Sequence, residues 1–218
     1  NQKSINDICK NNNLDPSQLV KVIIYLGKFE DKIELPVLVC IRGDQSVNEV
    51  KLYNLLNQRY ESNLLSLDVI DKETNITQNL NDVPFGFLGP DLEDNRINFN
   101  SKWEKKWIRV VDTSAYELSR FVSGANKTDY HRFFNSWESV KQQLIKADVR
   151  NAKKGDYFAK DKNEILIEKR GIEIGHIFQL GQKYSEKLNS QFSNKNGKLE
   201  NIWMGCYGIG VTRLAQAS

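Results

Sequence analysis

Two apolar runs near the start of the chain restrict its possible folds more than any other feature. Leu19–Tyr25 and Leu35–Ile41 are rich in Val, Ile and Leu, and the polar segment Gly27–Lys32 lies between them. Apolar, β-branched runs of this length on either side of a turn are typical of paired strands. They predict that the chain builds its core around a sheet.

Helices are predicted around this strand pair, because apolar residues recur there at helical spacing. The first predicted helix begins with a Ser-x-x-Asp capping pattern. The predicted helices are Ser4–Asn12, Asn48–Leu56, Ala115–Val122 and Trp137–Ala147. Ile108–Val111 predicts one more strand, which is buried. The fold class is therefore α/β.

A polar segment, Asn151–Asn163, predicts two domains, residues 1–150 and 151–218. Beyond it, Ile165–Ile167 and Ile172–Phe178 return to strand-like patterning. The end of the chain predicts a strand, a glycine turn and a helix, at Ile202–Tyr207, Gly208–Gly210 and Val211–Ala217.

Composition excludes several classes of protein. Of the 218 residues, 39% are hydrophobic and 27% are charged, which fits a globular chain with a core. No apolar run approaches the length that crosses a bilayer. Cys9, Cys40 and Cys206 are far apart, so they indicate neither zinc nor a disulfide framework and favour a reducing, cytoplasmic compartment. The net charge of +3 is too small to indicate a nucleic-acid binder by itself.

The polar segment Asn1–Asn13 has no signal-peptide pattern and does not start with Met. We therefore expect a piece of a longer protein.

The glycine turn before the last helix is a candidate phosphate site. Gly208 and Gly210 let the backbone turn tightly and approach a ligand, and Arg213 follows in the first turn of the helix. The guanidinium of arginine binds phosphate oxygens in a bidentate manner. By itself, the same pattern also fits an ordinary strand-to-helix turn with a surface arginine.

The surrounding residues resemble bacterial-type prolyl-tRNA synthetases. Met204–Arg213 resembles motif 3 of that family, and Arg170–Gly181 with Lys183–Ser185 resembles the strand segment before it. The resemblance implies that Arg213 binds ATP phosphate and that the adenylate pocket includes Glu173, His176, Cys206, Gly208 and Gly210. Without the resemblance, His176 is a satisfied core histidine and Cys206 a small buried apolar residue.

The first 150 residues are similar to the editing domain that this family carries between motifs 2 and 3, and to free-standing prolyl-tRNA editing proteins. The matching residues are Arg42–Asp44, Asn48–Lys51, Gly86–Pro90, Val111–Asp112, Gly124–Asn126 and His131. The resemblance implies a mixed-sheet editing domain of the prolyl-tRNA deacylase type, followed by part of a class II synthetase antiparallel-sheet core. The implied activity is hydrolysis of alanine wrongly attached to proline tRNA.

The editing chemistry is acyl transfer to water. Negative charge builds on the ester oxygen during attack, and backbone N–H groups of the glycine-rich turn between Gly86 and Pro90 can stabilise it. That turn contains no Ser or Cys nucleophile, and His131 is the one histidine of the domain. A catalytic triad is therefore not expected. We favour direct attack by water, with His131 as a wall of the alanine pocket rather than a base; a loop histidine is the alternative.

Lys51 is, by resemblance, the most important editing side chain, because its charge can hold a phosphate or polarise the ester. The alternative is a solvated helix lysine. Asp112 has three open interpretations: it orients Lys51, binds the substrate amino group, or caps a helix that starts near Ser114.

The stretch Asp91–Lys106 predicts a loop, and the segment around it, Pro90–Asp112, is longer than in typical family members. Its lysines, with Trp103 and Trp107, could contact the acceptor stem. A charged loop packed by two tryptophans is the alternative that we prefer.

The intact enzyme is expected to use ATP with Mg²⁺, proline and the acceptor end of proline tRNA, and to be a cytoplasmic homodimer with no membrane segment. Editing is expected to need no cofactor or metal. Motifs 1 and 2 and the anticodon-binding domain are missing, so the 218 residues should not aminoacylate alone. The competing hypothesis is a non-catalytic tRNA-binding insertion that stabilises the synthetase core.

Overall fold

The computed structural model of the protein describes residues 5–74, 77–158 and 160–218. These residues form two compact units, of which the first ends at Asp156 and the second begins at Tyr157. The division lies a few residues beyond Arg150, within the predicted polar segment. The assignment of the two units to an editing domain and a synthetase core stays a prediction.

The first unit contains three α-helices and seven strands in the described residues. The helices are α1 (Ile5–Asn12), α2 (Glu49–Arg59) and α3 (Thr113–Tyr116). The strands are β1 (Val20–Phe29), β2 (Glu34–Arg42), β3 (Leu64–Ile70), β4 (Ile108–Asp112), β5 (Phe121–Gly124), β6 (His131–Asn135) and β7 (Ile145–Ala147). Ser4, the predicted cap of α1, lies outside the described residues.

Five of these strands form one mixed sheet in the order β3-β1-β2-β4-β7. The pairs β1–β2 and β1–β3 are antiparallel, whereas β2–β4 and β4–β7 are parallel. The predicted strand pair and the buried strand β4 are confirmed, and the mixed α/β fold with them. β1 runs on to Phe29, because Gly27 and Lys28 pair with β2, so the predicted turn at Gly27–Lys32 is shorter than expected.

Both faces of the sheet are covered, which explains why the two apolar runs do not alternate with polar residues. On one face, Val37 and Val39 pack with Leu52 and Leu56 of α2. On the opposite face, the cluster contains Leu38 and both tryptophans of the long loop, which are 2% and 3% exposed. The preferred interpretation of that loop, packed by Trp103 and Trp107, is therefore confirmed.

Two helix predictions are wrong because tertiary contacts override local spacing. Within the predicted helix Ala115–Val122, α3 ends at Tyr116 and the chain then enters β5. Within Trp137–Ala147, one short 3-10 turn is followed by β7. The Trp137 ring packs on Phe121 at 4.6 Å between centroids and anchors this segment as it crosses to the sheet.

In the residues that the structure describes, the second unit consists of antiparallel strand pairs and two short helices. The strands are β8 (Tyr157–Phe158), β9 (Asp161–Ile165), β10 (Gly175–Gly181), β11 (Gln191–Ser193), β12 (Leu199–Asn201) and β13 (Met204–Ile209), and the helices are α4 (Lys183–Lys187) and α5 (Val211–Ala217). The pairs are β8–β9, β10–β13 and β11–β12. This arrangement confirms the predicted antiparallel pairing.

The predicted glycine turn at Gly208–Gly210 is largely wrong. Gly208 lies within β13 and pairs with His176 of β10. Gly210 is the N-cap of α5 with a φ of −81°, which other residues also adopt. The strand therefore continues almost to the helix. The strand predicted at Ile172–Phe178 begins only at Gly175, and β9 ends at Ile165, where the strand Ile165–Ile167 was predicted to start.

Candidate active site

A cavity of about 190 Å³ lies beside the first residues of β1, between that strand and β5. Most of its lining is apolar. Its lining also includes Lys21, Gly86, Leu88, Gly124 and His131. Concave, mostly apolar sites with a few polar groups are typical of ligand binding. This cavity is therefore the candidate site.

The turn that begins at Gly86 forms part of the cavity wall. Gly86 has a φ of +87°, a conformation that favours glycine. The N–H of Phe87 donates to Pro84 O at 2.9 Å, and that of Gly89 donates to Asn126 Oδ1 at 2.6 Å. Among the described residues, the N–H groups of Gly86 and Leu88 have no acceptor. The turn therefore offers two free donors, both from residues that line the cavity.

Gly124 brings β5 into direct backbone contact with this turn. A Cβ atom at Gly124 would lie 2.1 Å from Phe87 C and 2.5 Å from Leu88 N. Real Cβ atoms do not approach so closely, so this position accommodates only glycine without movement of the turn.

Lys21 was missed by the sequence analysis. Its ammonium donates to Gly43 O at 3.5 Å, and the lysine also lines a neighbouring cavity of about 510 Å³ with Gly43 and Asp44. Burial lowers the pKa of Lys21, and the nearby Asp44 opposes this effect. The signal in the sequence is a single lysine inside the otherwise apolar start of β1.

Asp44 supplies the negative charge of the second cavity. Burial opposes its ionisation, but hydrogen bonds from Arg42 and Lys153 lower the pKa of Asp44 to about 2. Arg42 donates to it from both Nε and Nη2, at 2.9 and 2.7 Å. Lys153 forms an additional ion pair with it. Asp44 is therefore ionised at neutral pH and fixed in position.

His131 begins β6 and pairs with Gly124 across the β5–β6 hairpin. Its ring lies 5.4 Å from the ring of Phe87, between centroids. Burial lowers the pKa of His131, so the neutral imidazole is favoured. The structure thus brings His131 and Gly86 together at one cavity, as two of the predicted site residues.

The other predicted editing residues lie elsewhere. The ammonium of Lys51 donates to Asp148 Oδ2 at 2.8 Å and to Arg150 O at 3.1 Å. Pro90 is buried and, like Lys51, does not line the cavity. These contacts give Lys51 a structural link between α2 and the end of the first unit, rather than a place in the cavity.

Asp112 caps α3. Its Oδ1 accepts from Ser114 N at 2.9 Å, its Oδ2 accepts from Val149 N at 2.9 Å, and it is 1% exposed. The capping interpretation is confirmed. The interpretation that Asp112 orients Lys51 is wrong, because Asp148 is the carboxylate that pairs with this lysine.

In the second unit, three of the predicted ATP-site residues come together. Arg213 Nη1 donates to Glu173 O at 2.9 Å, and His176 Nδ1 lies 3.5 Å from Glu173 Oε1. His176 stacks on Phe178, and Cys206 is the cross-strand partner of Phe178. Both His176 and Cys206 are exposed, so the interpretations that bury them in a core are wrong.

Within the described ranges, no cluster of three or more His, Cys, Asp or Glu side chains is placed to bind a metal ion. No helix in the same residues has the length and apolar character required to span a membrane.

Comparison with known proteins identifies the family. Residues 32–217 match the tRNA synthetase class II core domain (G, H, P, S and T). The chain belongs to this family. A class II relative, the proline–tRNA ligase of Prochlorococcus marinus subsp. pastoris, is 61% identical over 218 residues, which are 100% of this chain and 36% of that protein. The proline–tRNA ligase of Prochlorococcus marinus strain NATL2A is 48% identical over 218 residues, which are 100% of this chain and 37% of that protein.

The chain therefore spans about a third of the length of the class II relatives that it matches. The predicted resemblance to prolyl-tRNA synthetases is confirmed. Among solved structures, the crystal structure of hypothetical protein APE2540 has a TM-score of 0.50 and 15% identity, and covers 68% of this chain and 85% of that one. This likeness concerns the fold alone.

Proposed function

We propose that this chain is part of a proline–tRNA ligase and that its first unit hydrolyses alanine wrongly attached to proline tRNA. The ligase assignment is supported by 61% identity over the whole chain to a protein of that name. The editing assignment is carried by the cavity that joins a half-buried lysine to a turn with two free N–H groups.

The turn suits the transition state of ester hydrolysis. Water attacks the alanyl carbonyl carbon, and the carbonyl oxygen gains negative charge as the new C–O bond forms. The free N–H groups of Gly86 and Leu88 stabilise that oxygen. The ester C–O bond then breaks, the ribose oxygen takes a proton, and alanine leaves tRNA with a free terminal hydroxyl. No covalent enzyme intermediate is needed.

Lys21 replaces Lys51 as the cation that we assign to this reaction. It lines both cavities, so one group contacts the ester side and the nucleotide side of the substrate. The apolar cavity takes the alanyl group, and the larger one takes the terminal ribose, whose hydroxyl groups can donate to the Asp44 carboxylate and bond to Ser46. A half-buried cation at their junction holds the ester against the donors.

The second unit contributes to ATP and adenylate binding in the intact enzyme. Arg213 is exposed, its guanidinium fits a phosphate, and Glu173 and His176 lie beside it. ATP with Mg²⁺ supplies the activation of the proline carboxylate. Cys206, Gly208 and Gly210 lie on or next to the adjoining strand β13. The complete enzyme acts as a cytoplasmic homodimer on proline, ATP and proline tRNA.

Deacylation of Ala-tRNA(Pro) by the 218-residue chain tests the editing proposal. Lys21→Ala should slow hydrolysis about 30- to 1000-fold, because losing a charged contact at the ester costs about 2–4 kcal/mol of transition-state stabilisation. Lys51→Ala is the matched control: its ion pair is partly exposed, and we expect a loss of about 0–1 kcal/mol in stability with nearly normal hydrolysis.

The outcomes separate the competing assignments. A chain that retains the tRNA without turnover would support the non-catalytic insertion module instead. Loss of hydrolysis in Lys51→Ala alone would restore the sequence-based assignment. For the ligase, Arg213→Ala in the full-length protein should abolish ATP–proline pyrophosphate exchange, and the isolated 218 residues should show none.

A further inference from the structure

Asn126 makes three hydrogen bonds to the segment that contains the free donors. Its backbone N–H donates to Phe87 O at 2.9 Å, and its side-chain Oδ1 accepts from Gly89 N at 2.6 Å. Its Nδ2 donates to Asp91 Oδ1 at 2.9 Å. Asn126 also has a φ of +57°, a left-handed conformation in which asparagine is enriched. One residue of the β5–β6 connection therefore holds both halves of the turn.

These bonds fix the direction of the Leu88 N–H group. The carbonyl of Phe87 and the N–H of Leu88 belong to one planar trans peptide, so they point in opposite directions. With Phe87 O bonded to Asn126, the Leu88 N–H points away from Asn126, and Leu88 lines the cavity. Rotation of this peptide would present a carbonyl oxygen where the transition state needs a donor.

The side chain of Asn126 is itself held in one orientation. Arg132 donates to Asp91 Oδ2 at 2.7 Å, and Asp91 accepts from Asn126 through its other oxygen. A carboxylate at Asp91 requires the amide nitrogen of Asn126 to face it, which leaves the amide oxygen for Gly89 N. A continuous series of hydrogen bonds thus runs from the β5–β6 hairpin to the turn, through Arg132, Asp91, Asn126 and Gly89.

We propose that Asn126 is a positioning residue for editing, which holds the Phe87–Leu88 peptide in the orientation that offers its N–H to the ester oxygen. This inference rests on the proposed deacylase function of the first unit. Asn126 does not touch the reacting atoms; it acts through the turn.

A charge-swap experiment tests the arrangement. Asn126→Asp places a carboxylate against Asp91 and should lower the kcat for Ala-tRNA(Pro) about 10- to 100-fold with little change in KM, because binding by Lys21 remains. The double variant Asn126→Asp with Asp91→Asn restores a donor facing an acceptor and should recover most of the kcat. Asn95→Asp is the matched control, since Asn95 also donates to a nearby carboxylate, Glu93, but is exposed and away from the cavity.

A second readout is independent of turnover. In the wild-type chain, the Gly89 amide proton should be protected from hydrogen exchange and shifted downfield by NMR, and Asn126→Asp should remove both features, with recovery in the double variant. Wild-type kcat in Asn126→Asp, or a double variant that recovers the Gly89 signal but not kcat, would overturn the inference. A different outcome is that the wild-type chain does not deacylate at all while the Gly89 signals behave as expected. In that case the proposed editing function fails, and the positioning role of Asn126 fails with it, but the hydrogen bonds of Asn126 to the turn are still confirmed.

Discussion

Replacement of Gly124 by alanine should damage both the stability of the first unit and its catalysis. The added Cβ would lie 2.1 Å from Phe87 C and 2.2 Å from Phe87 O, whereas ordinary contact begins near 3.4 Å. The strand and the turn must therefore separate by about 1.3 Å. The obstructing atoms are backbone, so no side-chain rotation relieves the clash.

The cost follows from that displacement. Overpacking of a rigid contact costs about 1–3 kcal/mol, and the stiffer unfolded chain of the alanine variant recovers about 0.4–1 kcal/mol of it. We expect a net loss of about 1–2 kcal/mol in the free energy of unfolding. A shift of about 1 Å in the oxyanion donors should also slow deacylation about 100-fold in the molecules that remain folded.

Urea denaturation followed by tryptophan fluorescence measures the first effect, and single-turnover hydrolysis of Ala-tRNA(Pro) measures the second. Gly171→Ala is the control, because a Cβ at Gly171 meets nothing within 4 Å. Unchanged stability together with wild-type hydrolysis in Gly124→Ala would refute the close approach of β5 to the turn.

Three further predictions concern individual side chains. The pKa of Asp44 falls from 3.8 to about 2 on folding, so the stability that its carboxylate contributes is present above pH 3.8 and is lost as the pH falls towards 2. Asp44→Asn should therefore lower the free energy of unfolding by about 1–2 kcal/mol at pH 7. The same variant should flatten the acid-denaturation curve between pH 3.8 and 2. If His131 is a pocket wall, His131→Ala should raise prolyl-tRNA hydrolysis relative to alanyl-tRNA hydrolysis, whereas equal loss of both rates would indicate a base. Burial raises the pKa of Cys40 to about 12, so a thiol reagent at pH 8 should modify the exposed Cys206 at once and Cys40 only after denaturation; rapid labelling of a Cys206→Ser variant at Cys40 would contradict its burial.

Local patterns were sufficient for the centre of the fold but not for its periphery. The apolar runs specified β1 and β2, because strands buried on both faces need no alternation. The segment at Trp137–Ala147 has helical spacing, yet its Trp137 is held by Phe121 and its Ile145 pairs with Val110. Neither contact is visible in a local window.

The candidate site, too, depends on long-range contacts that a local stretch of sequence does not reveal. The glycine-rich turn and His131 could be found from residue type and resemblance. Lys51 resembles a catalytic lysine, but its partner Asp148 is 97 residues away, so its structural engagement could not be read from the sequence. Lys21 was overlooked because a single lysine in an apolar strand run marks an unusual position, but it does not reveal the cavity that β5 and the turn build beside it.

The segment between Gly43 and Val47 contacts both ends of the first unit. Ile5 and Ser46 line the same cavity, and Asn151 donates to Ser46 Oγ at 3.0 Å and to Val47 O at 3.1 Å. Residues near positions 5 and 151 are therefore held through the same five-residue segment, although they are far apart in the sequence. A change that loosens this segment should release helix α1 and the residues around Asn151 together, as one unit of local unfolding.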